Sequence, residues 1–159
     1  MAIAVTKTLH LAIFSLIIIG CIAEIVTSGI LVGDYNKILD LDIYSSLVTR
    51  TKYLLFCGLW TVLFSTIYMV GLSLAPGHLL FSVASHLVWL GVTIVLFVSG
   101  AAALTTEIKG QHFPHQERLE ILQGFAWADS ILLGLAMLLI LAIGIGRRNG
   151  LSGNLLGGP

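Results

Sequence analysis

Leu9-His10-Leu11-Ala12-Ile13-Phe14-Ser15-Leu16-Ile17-Ile18-Ile19-Gly20-Cys21-Ile22-Ala23-Glu24-Ile25-Val26-Thr27-Ser28-Gly29-Ile30-Leu31-Val32-Gly33 is the stretch that decides the fold. It exceeds the roughly 20 apolar residues that an α-helix needs to cross about 30 Å of hydrocarbon. Its apolar residues do not alternate with polar ones, and in lipid the backbone must satisfy its own hydrogen bonds, so it reads as a helix and not as a barrel strand. Three further stretches have the same character: Tyr53 to Ala75, Leu79 to Leu104 and Ile121 to Ile145. Composition agrees, because 57% of the 159 residues are hydrophobic and only 10% charged. The mean hydropathy is +1.01. A soluble domain carries about 25% charged residues, and this chain could not cover itself with so few.

The reading is an all-α, integral membrane four-helix bundle of up-down-up-down order, with residues 1–159 as one domain and spans at about 9–33, 53–75, 79–104 and 121–145. The first span is too long for a secretory h-region and contains Glu24, so it reads as a retained helix. Between the second and third spans stands the turn Ala75-Pro76-Gly77-His78. Two connections are longer. Asp34 to Lys52 mixes charges with Tyr35, Ile38, Leu39 and Tyr44; this suits a strip in the headgroup region, and its LDLDI core suits a short extended segment equally well. Thr105 to Glu120 holds Gly110 and Pro114, after which His115-Gln116-Glu117-Arg118 reads as the first turn of an overlong fourth helix. Topology stays open on charge alone, since the loop side has more Lys and Arg but also every acidic residue outside the spans.

The polar residues within the spans carry the chemistry. Glu24 and Asp129 lie on antiparallel helices at a similar depth, roughly nine residues or about 13 Å inside the loop side. Around Glu24, the positions one turn away are Gly20, Cys21, Thr27 and Ser28, a small and polar stripe that must face protein. The pair could serve a proton, an ion or a polar ligand, or could simply fix helix packing by hydrogen bonding. No Lys or Arg lies in the spans to partner either acid. His86 in the third span and His10 at the start of the first lie toward the opposite side. His10 is placed at the interface, so no metal or cofactor is assigned. Cys21 and Cys57 read as small apolar filler, about 12 Å apart in depth if the helices run straight, too far for a disulfide. For helix packing, Gly29 and Gly33 form a GxxxG, and Ala126, Ser130 and Gly134 a row of small residues on the fourth helix.

The third span reads Ser85-His86-Leu87-Val88-Trp89-Leu90 and ends Ser99-Gly100-Ala101-Ala102-Ala103-Leu104, and the fourth opens Leu122-Gln123-Gly124-Phe125-Ala126-Trp127-Ala128. With four spans and a hairpin-tight central link, this resembles the MARVEL-domain family of the compact fungal type. The chain lacks the cysteine before the fourth helix and the longer polar tail of many such members. The resemblance implies cytoplasmic termini, no catalysis, no cofactor, and a role in membrane apposition, trafficking or lateral membrane domains. It implies lipid and other membrane proteins, or further copies of the chain, as partners. The residues themselves show no HExxH, P-loop, nucleophile elbow, dinucleotide turn or basic patch for nucleic acid. Against a small glutathione-using membrane enzyme, Glu117-Arg118-Leu119-Glu120 is a faint echo without the polar helices that a thiol cofactor needs. The remaining alternatives are a subunit of a larger membrane complex and a small transporter or channel using Glu24 and Asp129.

Overall fold

A computed structural model describes residues 2–37, 41–74 and 82–145. Four helices account for nearly all of them: α1 (Ala2–Tyr35), α2 (Leu41–Leu74), α3 (Val83–Ile108) and α4 (Gln116–Ile145). Each contains a segment of 26 to 30 residues long and apolar enough to cross a membrane. The turn at Ala75 to His78 and the residues after Ile145 lie outside the described residues.

The helices are longer than the apolar runs suggest, and two expectations change. The strip from Leu41 to Lys52 is neither a surface strip nor an extended segment; it is the first three turns of α2. Leu47, Val48, Thr51 and Leu54 recur at helical spacing and are all buried, which is the physical reason it folds this way. The connection expected from Thr105 to Glu120 likewise shrinks to residues 109–115. Gly110 (φ 77°) and His115 (φ 61°) turn the chain there. The Gln116 side chain accepts a hydrogen bond from the Phe113 amide (3.3 Å) at the start of α4, as expected for an overlong fourth helix. Ser82 caps α3 by accepting from the Ser85 amide (3.3 Å).

Packing closes the helices into a ring: α1 lies against α2 and α4, and α3 against α2 and α4. Named contacts fix their directions. Tyr68 meets Ser85 while Tyr53 meets Ser99, so α2 and α3 run antiparallel. Arg118 meets Asp34 at one end of α1 and α4, and Asp129 meets Gly20 farther in. Lipid tails are as apolar as leucine, so close packing and interhelical hydrogen bonds hold such a bundle together, with little help from the hydrophobic effect.

The interior forms two apolar clusters. One, toward the chain termini, centres on Phe14, Ile17, Trp89, Leu90, Leu133 and Ile140. The other, toward the longer connections, centres on Leu31, Leu47, Leu104, Leu119 and Leu122. Large apolar side chains point outward from every helix, among them Ile19 and Ile30, Leu59 and Leu63, Val88 and Val95, and Ile131 and Leu138. That is the surface expected to meet lipid. Gly29 and Gly33 also face outward, with no atom near where a side chain would begin. The GxxxG is therefore not a contact within this bundle, because α1 turns its other face to α2 and α4. On α4, Ala126 and Ser130 are buried, while Gly134 is half-buried, with open space where a side chain would begin.

An aromatic and ionic cap covers the loop-side end. The Tyr35 hydroxyl donates to the Pro114 carbonyl (2.5 Å), and Tyr44 bridges the Tyr35 and Phe113 rings. Arg118 pairs with Asp34 at 2.6 Å, joining α4 to α1. Arg50 pairs with Glu107 at 2.9 Å and also donates to the Ala103 carbonyl, joining α2 to α3. Beneath Arg50, a cavity of about 300 Å³ opens between α2 and α3, lined by Thr49, Tyr53, Ser99, Gly100 and Ala103.

Candidate functional site

Glu24 and Asp129 converge at the waist between the two apolar clusters. On α1, Glu24 falls between Cys21 of one cluster and Leu31 of the other; on α4, Asp129 falls between Leu133 and Ala126 in the same way. Glu24 is 0% exposed and Asp129 1%. The depth match follows from antiparallel helices closed side by side.

Gly20 makes the approach possible. A Cβ added there would collide with an Asp129 carboxyl oxygen, so the acid reaches the α1 backbone only because that residue has no side chain. Cys21 completes the group: one donor atom each from Cys21, Glu24 and Asp129 all lie within 4.8 Å of one another. Cys21 is thus more than the small apolar filler its place in an apolar run suggests. Its position three residues before Glu24 on the same helical face was the available signal.

The hydroxyls beside Glu24 do not serve it. Thr27 donates to the Ala23 carbonyl (2.8 Å) and Ser28 to the Glu24 carbonyl (2.7 Å), both within α1. Ser130 likewise donates to Ala126 (2.7 Å). All four carboxyl oxygens of the pair therefore have no hydrogen-bond partner among the described residues. Bare carboxylates in such surroundings are costly, and two of them side by side more so; a shared proton or a bound cation resolves both problems.

The cysteines also lie closer in depth than the spans suggest. Gly58, next to Cys57, packs toward the Cys21 carbonyl, because α2 begins at Leu41, twelve residues before the apolar run that starts at Tyr53. Both thiols are free and buried.

A second polar group occupies the other end of the bundle. His10 is buried within the bundle: it is 2% exposed, because α1 starts at Ala2 and carries His10 two turns inward from its first residue. Its ring stacks on Phe14 (4.3 Å between centroids) and meets His86 at 5.8 Å. His86 is fully buried, with Nδ1 3.1 Å from the Ser82 carbonyl and Tyr68 against its ring at 4.1 Å. Both His10 nitrogens and His86 Nε2 lack partners among the described residues. Of the tryptophans, Trp89 is buried in this cluster, whereas Trp127 is on the outer face and donates to Thr105 (3.1 Å).

No family model, curated protein or solved structure matches the chain. What can be said of function follows from its residues.

Proposed function

We propose that this chain is a non-enzymatic membrane-organising protein, of the kind the MARVEL resemblance implies, acting through helix–helix and lipid contacts. The observation that supports it is the division of the molecule into an apolar exterior and a sealed interior. Every helix turns large aliphatic side chains outward, while the polar and thiol groups at the heart of the spans, Cys21, Cys57, Glu24, His86 and Asp129, are buried in the ring. Such a surface suits lipid and other membrane proteins. The outward Gly29 and Gly33 offer a flat strip to a second copy. On this reading the protein resides in the plasma membrane or an endomembrane with both termini cytoplasmic.

Reconstitution tests the proposal. Labelled chains in phase-separating giant vesicles should self-associate and concentrate in one lipid phase, and a C-terminal tag in sealed cell-derived vesicles should be cleaved by protease on the cytoplasmic side. Monomers spread evenly over both phases would overturn the organising role, and a protected tag the topology. A second reading, a small transporter or channel, is favoured by the unpartnered Glu24 and Asp129 oxygens. Proton flux in liposomes that Glu24→Gln abolishes without changing thermal stability would replace the first reading with the second.

A further inference from the structure

We propose that Cys21, Glu24 and Asp129 form a binding site for one divalent metal ion of the zinc class. Two helices supply the donors. Cys21 and Glu24 share a face of α1, and Asp129 reaches across from α4 into the space left at Gly20. Their donor atoms lie within 4.8 Å of one another. With a metal–sulfur bond of about 2.3 Å and metal–oxygen bonds of about 2.1 Å, tetrahedral donors stand roughly 3.5 Å apart. Side-chain rotations of about an ångström therefore close the set.

Two features point to an ion. The four carboxyl oxygens are buried and unpartnered, in a polymer that ordinarily pairs such atoms. Charge is the second: a divalent cation balances the Cys21 thiolate and one carboxylate, the other carboxyl keeping its proton, and the apolar runs 9–33, 53–75, 79–104 and 121–145 contain no Lys or Arg that could balance them instead.

The sulfur selects the ion. Magnesium and calcium take oxygen ligands, whereas zinc and cobalt(II) accept thiolate together with carboxylate. Because the site lies where the two apolar clusters part, a bound ion would fasten α1 to α4 at the level where apolar packing is interrupted.

The full chain, purified in detergent and stripped with a chelator, is titrated with Co²⁺, whose thiolate complexes absorb in the near ultraviolet. One Co²⁺ per chain is expected, with a sulfur-to-metal band that Zn²⁺ displaces and excess Mg²⁺ or Ca²⁺ does not. Cys21→Ser should remove the band. Glu24→Gln and Asp129→Asn should weaken Co²⁺ binding by at least roughly 100-fold, the upper end of what loss of a mere supporting partner does. Gly20→Ala keeps every donor but displaces Asp129, and should weaken binding by about 10-fold or more. Absence of the band in folded wild-type protein overturns the proposal, as does a band that survives Cys21→Ser or an affinity unmoved by Glu24→Gln and Asp129→Asn. If a carboxamide variant does not fold, the wild-type and Cys21→Ser spectra decide.

Discussion

Replacing Glu24 by leucine should destabilise the bundle, and replacing Asp129 as well should restore it. In the single variant Glu24→Leu, Asp129 keeps its 1% exposure and loses the one carboxyl that faces it. Thr27 and Ser28 cannot compensate, since their hydroxyls are committed to α1 carbonyls. A buried polar group stranded in this way costs about 1–3 kcal/mol. With two apolar side chains no group is stranded, so Glu24→Leu with Asp129→Leu should return to within about 1 kcal/mol of wild type. Glu24→Gln should also stay within about 1 kcal/mol, because the amide offers both a donor and an acceptor to Asp129. The cycle therefore predicts a coupling of at least roughly 1 kcal/mol between positions 24 and 129. Thermal unfolding in detergent reads it, at about 2–4 °C per kcal/mol for a chain of this size, with chelator present so that side chains alone are compared. Additive single variants, with the double variant the least stable of all, would refute the idea that the two carboxyls interact.

Other substitutions probe the packing. At Gly100 an added Cβ would stand 2.8 Å from a Leu54 methyl and 3.0 Å from the Tyr53 ring, so Gly100→Ala should part α2 from α3 at a cost of about 1–3 kcal/mol, read by thermal unfolding. Gly29→Ala and Gly33→Ala meet nothing within the chain, so each should leave the monomer equally stable or raise its stability by up to about 1 kcal/mol. Should self-association fall in the same variants, as cross-linking would detect, the outward strip is an interface. Tyr35→Phe removes the bond to Pro114 and should cost about 1 kcal/mol, with faster hydrogen exchange confined to residues 109–119. The Asp34–Arg118 pair is partly exposed, and its double-mutant cycle should return less than about 1 kcal/mol.

How much of this was legible beforehand varied with the physics of each element. Long apolar runs are a strong signal in lipid, and all four helices follow from them. The shared depth of Glu24 and Asp129 needed only counting along antiparallel helices. Where α2 begins was hidden because Asp42, Arg50 and Lys52 break the apolar run, although Leu47, Val48, Thr51 and Leu54 already carry the helical period. The burial of His10 was hidden for a related reason: the helix continues beyond the apolar run to Ala2, so the edge of the run is not the end of the helix. Which face of α1 the GxxxG occupies could not be read, since small residues suit a neighbouring helix within the chain and one outside it equally. Cys21 joined the acids only once Gly20 was seen to admit Asp129, a relation between two helices that no single helix displays.

The cap at the loop side gives the length of the helices a meaning. The membrane-crossing segment of α1 has 28 residues, about 42 Å along its axis against about 30 Å of hydrocarbon in a typical bilayer. A lone helix would relieve that excess by tilting. This bundle is tied on both sides of one end, Asp34 to Arg118 between α1 and α4 and Arg50 to Glu107 between α2 and α3. Tilting as a body would draw one of those charged pairs below the headgroups. An upright bundle keeps both pairs among the headgroups, where about 42 Å of helix matches the roughly 40–45 Å of a bilayer counted with its headgroup regions.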